Sequence, residues 1–518
     1  MSLLLVNMIP KSLSAETGRD SECNVAVDPA DPQHIAASAF TLDPMNSGNA
    51  PIFISVDGGN TWNLNVILPG GNKTGDTTLR FGETSGVLYA GILRTDNSHL
   101  NILRKADFSL PGLMTVLVDR AGDDQPWVEA RTVSTGLGSS VDRVFIGNND
   151  LSVSSTTGKT ATIDESQDAA TAAPPAGFGP VRVEVRTTTG ATSGQDGPSI
   201  RPAIHADGTV YGAFFGWRAN SGTMITSDVV VVRDDNWGSG ANPYQALTDP
   251  ADSKPGLRVV TGVSIPELST LLGTQRIGSQ IAIAVDPRQS SVVYLAWADG
   301  TSAAYYTIHL RRSTDSGSSW STSDLRAVIQ GTNPALAVNS RGTVGFLYQK
   351  LVSTVAGNQW ETHLEVSGDG LFHSPSDVLL ANVPDANGSY TGVNPIGDYV
   401  SLLAVGSSFY GAFSANNTPD LANFPHGVAY QRNADFTAHQ LTDLANSPVA
   451  VSIDPFFLRF AVDELQVVGL SEDGGMWHTI RHADGTWVPA FGDVKAQEAN
   501  NPGRFTAVSC AGAEESDS

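Results

Sequence analysis

The sequence predicts an all-β protein built as a single seven-bladed β-propeller of four-stranded antiparallel blades, with a six-bladed ring as the alternative. The 518-residue chain has 52 glycines, 28 prolines and only 16% charged residues, a composition that fits short strands joined by many turns. A turn motif recurs along the chain, which indicates a repeated unit. Seven segments also join an apolar strand through a short turn to a second strand rich in Val, Tyr, Phe and Ala.

The recurring motif occupies residues 55–62 (SVDGGNTW) and 313–320 (STDSGSSW), with weaker copies at 367–370 and 471–477. Its Asp can accept hydrogen bonds from turn amides, its Gly can adopt a positive φ, and its Trp can cover the junction. The motif resembles the Asp-box (BNR) repeat of the sialidase-like β-propellers. We therefore interpret Asp57 and Asp315 as structural residues without a chemical role.

The seven predicted blades follow one another at intervals of about 50 to 80 residues, which suits four strands plus loops of variable length. They begin near residues 24, 77, 126, 200, 281, 335 and 397. Two stretches, 154–199 and 237–274, are predicted to be insertions, the second with a short helix near 265–272.

The pattern changes after about residue 450, where 465–470 (LQVVGL) leads into 476–487 (MWHTIRHADGTW). This stretch of sequence resembles one unit of the tandem repeats in PLL-like fucose-binding and tectonin-type propeller lectins. We predict an Asp-box propeller over 1–450 and a lectin-like repeat segment over 451–518. A single repeat cannot bury its apolar face alone, so the segment is expected to dock on the propeller or close it.

Composition also excludes some classes of function. A net charge of −23 argues against nucleic acid and anionic membrane surfaces as partners. No apolar run approaches the roughly 18 residues that span a bilayer, and 3–6 (LLLV) is too short for a signal peptide. We expect a soluble protein, and the family resemblance implies an extracellular one. Cys23 and Cys510 are predicted to be free and buried, with their pairing left open.

The loop that enters each innermost strand of a propeller faces the mouth of the central channel. In this chain those loops are predicted to make the mouth strongly acidic. The residues expected there are Asp20, Glu22, Asp76, Asp123, Asp124, Asp196, Asp398 and Tyr399, together with Arg19, Gln125, Arg276, Gln280 and Asn333. Converging carboxylates raise one another's pKa or recruit a cation, so Ca²⁺ bound by Asp20, Glu22 and Asp76 is one expectation.

Three functions remain open at this stage. Recognition of a glycan or glycoconjugate at the mouth is slightly favoured. The alternative is a glycoside hydrolase of the exo-sialidase-like type, and the third candidate is a non-catalytic propeller that binds protein in a larger assembly. The hydrolase would use Asp124, Asp196 and Asp398 as carboxylates and Tyr399 to orient or attack, with Arg80, Arg201, Arg276, Gln125 and Gln280 holding substrate.

Sialidase activity itself fits the sequence poorly. The early Phe/Tyr-Arg-Ile-Pro motif of the sialidases is missing, and the most similar sequence, 200–202 (IRP), lies in the fourth predicted blade. An acidic mouth also disfavours an anionic sugar. Tryptophans such as Trp127 are interpreted as packing between blades more often than stacking on sugars.

Overall fold

The structure is a computed structural model of the 518-residue chain. It describes residues 2–42, 44, 47–71, 73–136, 138–153, 159–171, 177–187, 192, 194–197, 200–266, 280–302, 305–355, 357–385, 396–461, 465–471, 475–481 and 492–493. Within these ranges no helix has the length and apolar character needed to span a membrane. The helical turns described are two short 3₁₀ segments, Lys11–Leu13 and Leu151–Val153.

Seven four-stranded antiparallel sheets make up most of the described chain, which confirms the predicted all-β class. The first three sheets, from the innermost strand outward, are Asn24–Val27, Ile35–Ser38, Ala50–Ser55 and Asn63–Leu68; Thr77–Phe81, Leu88–Leu93, His99–Lys105 and Thr115–Ala121; and Asp123–Gly136, Ser139–Asp150, Ala161–Ser166 and Gly179–Arg182. The next three are Arg201–Ile204, Val210–Asn220, Met224–Asp234 and Leu257–Pro266; Ile281–Asp286, Gln289–Ser302, Tyr305–Ser313 and Arg326–Ile329; and Gly331–Val338, Val344–Thr354, Gly357–Ser367 and Ser376–Pro384. The seventh is Ser401–Val405, Ser408–Asn416, Ile453–Ala461 and Ser2–Asn7.

The innermost strands of the seven sheets contact one another in a closed circuit. Each contacts the innermost strand of the next sheet, and Ser401–Val405 of the seventh sheet contacts Asn24–Val27 of the first. Antiparallel sheets arranged around an axis in this way form a β-propeller. The loops before the innermost strands therefore lie together at one end of the axis, as the sequence pattern predicts.

The N-terminal strand closes the ring. Ser2–Asn7 pairs antiparallel with Ile453–Ala461, with Leu5 opposite Leu458, and forms the outermost strand of the seventh sheet. The seventh sheet thus extends past residue 450, where the sequence pattern predicts a change to a lectin-like repeat. Beyond it, Leu465–Leu470, Met476–Arg481 and Gly492–Asp493 form a separate three-stranded sheet.

Two predictions about loops are wrong. The stretch 154–199 contains the third and fourth strands of the third sheet, and Leu257–Pro266 is a strand where a mixed loop with a helix is predicted. The remainder of the predicted helix, 267–272, lies outside the described residues. The innermost strand of the seventh sheet begins at Ser401, four residues after the predicted start at Gly397.

The sheets pack so closely that some second-strand positions accept only glycine. A Cβ added to Gly147 would lie 2.1 Å from the Ile200 carbonyl oxygen of the next sheet, and one added to Gly91 would lie 2.8 Å from Pro126 Cβ. Real Cβ atoms do not approach so closely, so the glycines set the spacing between neighbouring sheets.

The two strong copies of the turn motif have the same hydrogen bonds. Ser55 Oγ donates to Asp57 Oδ1 over 2.8 Å, and this oxygen also accepts the Thr61 amide over 2.9 Å. The Trp62 indole donates to the Gly59 carbonyl over 3.0 Å. Residues 313–320 repeat every one of these bonds within 0.2 Å. Both aspartates are thus fully engaged in holding a turn, in line with a structural role.

Candidate functional site

A small cavity of about 40 Å³ lies on the axis at the end where the innermost strands begin. Its polar lining comes from the innermost strands of six sheets, the second to the seventh, and from the loops that enter them. The residues are Arg80, Trp127, Glu129, Arg201, Gln280, Asn333, Asp398 and Tyr399. Since one water molecule requires at least ~10–15 Å³ of such volume, the enclosed part holds only a few waters, and a larger ligand must lie at its entrance.

A stacked arginine is the central feature of this cavity. Arg201, at the start of Arg201–Ile204, places its guanidinium carbon 3.8 Å from the Trp127 ring centroid and 5.8 Å from that of Tyr399. The Trp127 and Tyr399 rings meet edge to face at 5.6 Å. Burial lowers the pKa of Arg201 to about 10, and Tyr399 with nearby carboxylates acts in the opposite direction. The guanidinium is therefore charged at neutral pH, and the rings hold its plane fixed.

Three carboxylates surround this group. Asp76, Asp398 and Glu22 all favour the charged form of Arg201. The Asp398 amide donates to Glu22 Oε1 over 3.3 Å. This close approach depends on Gly397 at φ +85°, because a Cβ there would lie 2.5 Å from Glu22 Cγ. Four residues named in the sequence analysis, Arg201, Tyr399, Asp398 and Glu22, are thus brought together.

Two buried polar atoms of the cavity are incompletely hydrogen-bonded, although the Thr77 amide lies close enough to Tyr399 Oη to favour its charged form. Tyr399 Oη and Asn333 Oδ1 have no hydrogen bond of normal geometry among the described residues, although the Asn333 amide nitrogen donates to Gln349 Oε1 over 2.9 Å. Burial raises the pKa of Tyr399 well above its usual range, helped by Asp76 and Glu22, so its hydroxyl stays protonated. An unused donor and an unused acceptor in one cavity are the groups that a polar ligand would satisfy.

Irregular backbone positions several of these side chains. Glu22, Gln125 and Asn333 all have positive φ, between 48° and 61°, which non-glycine residues rarely adopt. Gln125 and Asn333 lie in β-bulges of their innermost strands and precede Pro126 and Pro334, which cannot donate to the ladder. Such outliers concentrate at binding sites, where the surrounding fold holds them.

An ion pair forms the lower boundary of the cavity. Arg80 donates to both oxygens of Glu129, over 2.9 and 3.1 Å, and also to the Val25 carbonyl over 3.1 Å. Glu129 is not among the residues predicted from the sequence. It alternates with Trp127 and Arg131 along Asp123–Gly136, and all three line the channel. This period of two is the signal that could have identified it.

Other predicted residues lie away from the cavity. Asp196 is fully buried and pairs with Lys159 Nζ at 2.7 Å. Asp123 pairs with Arg120 at 2.6 Å, and Asp124 Oδ1 accepts the amide of Gln125. These contacts belong to structural networks, and none of these residues lines the cavity. Gln280 lines it and accepts a hydrogen bond from Thr332 Oγ1 over 2.7 Å, while Arg276 lies outside the described residues.

The three residues predicted to bind calcium do not come together. Asp20 belongs to a buried cluster with Glu16, Asp454 and Arg432, whereas Glu22 and Asp76 lie near Arg201. In the described part of the chain, no group of three His, Cys, Asp or Glu side chains has an arrangement that could hold a metal ion. Cys23 is buried with Sγ 3.2 Å from Ser414 Oγ, and Cys510 lies outside the described ranges.

The Asp20 cluster predicts that stability falls as pH rises. Burial, followed by the charge of Asp454, raises the pKa of Glu16 to about 7 from 4.5. The folded state therefore binds a proton that the unfolded state has lost, and stability decreases between about pH 4.5 and 7. In Glu16→Gln we expect urea unfolding to vary less with pH across this window, by on the order of 2 kcal/mol. An unchanged pH dependence would contradict this account.

Comparison with known proteins does not assign the chain to a family. No protein-family model and no curated protein matches it. Solved structures with a similar backbone include an α-L-arabinofuranosidase of Fusarium graminearum, at 11% identity, covering 70% of this chain and 97% of that chain, with a TM-score of 0.41. A second is a protein of unknown function from Dyadobacter fermentans, at 9% identity, covering 89% of this chain and 98% of that chain, with a TM-score of 0.41. A third is an α-L-arabinanase of Penicillium chrysogenum, at 11% identity, covering 88% of this chain and 98% of that chain, with a TM-score of 0.38. Likeness of this degree says nothing about activity.

Proposed function

We propose that this chain is a carbohydrate-directed, seven-bladed propeller of the Asp-box type that recognises a glycan at the mouth of its channel. The observation that carries the proposal is Arg201 stacked on Trp127 in one cavity with the unused hydroxyl donor of Tyr399 and the unused acceptor Asn333 Oδ1. Sugar hydroxyls both donate and accept hydrogen bonds, and this site offers both functions at fixed positions.

The charge of the site favours a neutral glycan over an acidic one. Asp398 lines the cavity, and the charges of Glu22 and Asp76 reach its one stacked arginine. A sugar carboxylate would meet this negative potential, whereas hydroxyl groups can donate to the carboxylate oxygens. Arg80 does not offset the excess, because Glu129 already takes it as a bidentate partner.

Recognition is favoured over hydrolysis on chemical grounds. A nucleophilic tyrosine must lose its proton, and the surroundings of Tyr399 raise its pKa. Of the three carboxylates predicted for a hydrolase, Asp398 alone lines the cavity, and Asp196 is neutralised by Lys159. Hydrolysis would require Asp398 to act with a second carboxylate, which could be Glu22, Asp76 or the Arg80-paired Glu129.

The experiment is a glycan array followed by calorimetry on the best neutral ligand, with Arg201→Lys as the test variant. Lysine keeps the charge but loses the planar donors and the stacking, so we expect affinity to fall at least ~10-fold. Arg143→Lys is the matched control, because Arg143 also lies over a tryptophan, 4.6 Å from the Trp237 centroid, away from the cavity. That variant should bind as wild type does.

Two outcomes would overturn the proposal. Wild type that binds no neutral glycan, or Arg201→Lys that binds as well as Arg143→Lys, would remove glycan recognition from this cavity. A parallel assay with fluorogenic glycosides decides the chemistry: turnover that Asp398→Asn abolishes would establish a hydrolase instead of a binding protein.

Several predictions from the sequence stay predictions. Calcium bound by Asp20, Glu22 and Asp76 remains one; of these residues, Glu22 and Asp76 both act on Tyr399. The lectin-like character of the segment after 450, an extracellular location and a protein partner in a larger assembly also rest on the sequence pattern or on resemblance alone.

A further inference from the structure

A second, larger cavity of about 310 Å³ occupies the opposite end of the channel. All seven sheets contribute to its lining through the later residues of their innermost strands and the turns that follow. The two cavities meet at a level formed by one residue from each of the second to seventh sheets. These residues are Arg80, Glu129, Pro202, Ile283, Leu336 and Leu402.

The wall of this lower cavity is strongly asymmetric. The fourth to seventh sheets present an apolar arc that includes Ile204, Val285, Val338 and Val405. The second and third sheets present charged groups instead. These are Arg80, Glu83, Glu129 and Arg131. A pocket with one apolar side and one charged side suits a small molecule with an apolar body and one charged end, and its volume lies at the lower limit for such ligands.

Among the described residues the one ion pair of Arg131 is with Glu83, and Glu83 is the weakly satisfied carboxylate of the charged side. Its Oε1 lies 3.1 Å from Arg131 Nη1, and no hydrogen bond to its other oxygen occurs among the described residues. Glu129, in contrast, is held by Arg80 at both oxygens. Behind Glu83 lies a further carboxylate, Asp142, which accepts hydrogen bonds from Ser85, Tyr89 and Thr132 and has no cationic partner in the described structure.

The sign of the local field follows from these contacts. Burial raises the pKa of Glu83, and Asp142 adds to the effect, although Arg131 opposes it. The charged form of Glu83 remains destabilised although Arg131 lies beside it, so a second cation would stabilise that form. The net charge of −23 on the chain also raises the local concentration of small cations around the channel.

We propose that the lower cavity is a separate binding site for a small organic amine, whose ammonium group pairs with Glu83 and whose apolar body lies against the arc of the fourth to seventh sheets. The ammonium donates to the Glu83 oxygen that Arg131 does not engage. The site does not depend on the glycan proposed for the upper cavity, the small one that contains Arg201. Neither Arg201 nor Tyr399 lines the lower cavity.

The test compares three probes with the same phenylethyl body: phenylethylamine, phenylethanol and 3-phenylpropanoate, titrated by calorimetry or ligand-observed NMR. We expect the amine to bind at least ~10-fold more tightly than the alcohol, because a charge-assisted hydrogen bond replaces a neutral one, and the carboxylate to bind most weakly. Higher salt should reduce this preference.

Variants separate the two halves of the site. Glu83→Gln should reduce amine affinity to that of the alcohol, whereas Glu361→Gln, a control on the sixth sheet where Glu361 contacts His363, should leave it unchanged. Ala404 is half-buried and lines the cavity, so the larger side chain in Ala404→Trp should fill the cavity and block all three probes. Thermal unfolding of each variant establishes that it is folded, and Arg201→Lys should bind the amine as wild type does.

Three results would overturn the proposal. If no probe binds, the cavity holds only water. If the alcohol or carboxylate binds as tightly as the amine, the charge assignment is wrong. If amine affinity is the same in Glu83→Gln or in Ala404→Trp as in wild type, the amine binds elsewhere. Each result is independent of glycan binding, so failure here leaves the function of the upper cavity standing.

Discussion

Asp454→Ala is expected to lower the free energy of unfolding by about 3–5 kcal/mol, because it removes one partner of a buried ion pair. Asp454 is fully buried and is bound by the Arg432 guanidinium, whose side chain is also inaccessible to solvent. It further accepts the Asn7 amide over 2.8 Å, the Asn417 amide over 3.0 Å and the Ser452 hydroxyl over 2.5 Å. The substitution leaves a cation and several donors buried without an acceptor.

Equilibrium unfolding in urea measures this effect, and two variants make it specific. Asp454→Asn keeps one acceptor but loses the charge, so its stability should lie between those of wild type and Asp454→Ala. Asp435→Ala, in the exposed hairpin Asn433–Asp435 and Gln440–Thr442, serves as the control: it loses only the hydrogen bonds from the turn amides of Thr437 and Ala438, so it should cost clearly less than Asp454→Ala. A loss below about 1 kcal/mol in Asp454→Ala would mean that Arg432 finds another acceptor or reaches water.

Trp62→Ala is expected to cost about 3–5 kcal/mol, the usual range for deleting a large buried aromatic side chain. Trp62 is 1% exposed, its indole donates to Gly59, and its ring lies 5.1 Å from that of Phe457 in the seventh sheet. Its backbone amide donates to Gln431 Oε1 over 2.9 Å. The first copy of the turn motif therefore ties the first sheet to the seventh, the point at which the ring closes.

The second copy of the motif supplies a matched control. Trp320 makes the same indole bond to Gly317 but is only half-buried, so Trp320→Ala should cost clearly less than Trp62→Ala. Thermal and urea unfolding of the two variants, measured side by side, give the comparison. Equal losses would indicate that the turn itself, and not the burial of its tryptophan against the seventh sheet, determines the contribution.

Local patterns predicted much of the fold. The pairs of apolar strands around short turns, such as 200–205 with 210–215, lie in the structure as the first two strands of their sheets. The N-terminal strand escaped prediction because its partner, Ile453–Ala461, is more than 440 residues away along the chain. Ala161–Ser166 escaped because its Thr- and Gly-rich surroundings have low strand propensity, which packing in the third sheet overrides.

Strand position alone predicts which of the candidate site residues face the channel, and their role in binding stays a prediction. Arg201, Asp398 and Tyr399 enter innermost strands and do line the channel. Asp20 and Asp196 lie away from the cavity, in buried clusters with residues from other parts of the chain, Asp454 and Arg432 in the first case and Lys159 in the second. Sequence spacing carries no information about such distant counter-charges.

The pairing of the first and last strands of the ring has a consequence for the order in which the sheets assemble during synthesis. Ser2–Asn7 leaves the ribosome before the other strands of the ring, yet its partner strand ends at Ala461. At about 5–20 residues per second, the first strand waits roughly 20–90 s with an unpaired edge before the seventh sheet can form. Earlier sheets can assemble one after another meanwhile, but ring closure has to come last. During that interval an exposed apolar strand is available to a neighbouring nascent chain, so exchange of this strand between copies is the error to which biosynthesis of this fold is most open.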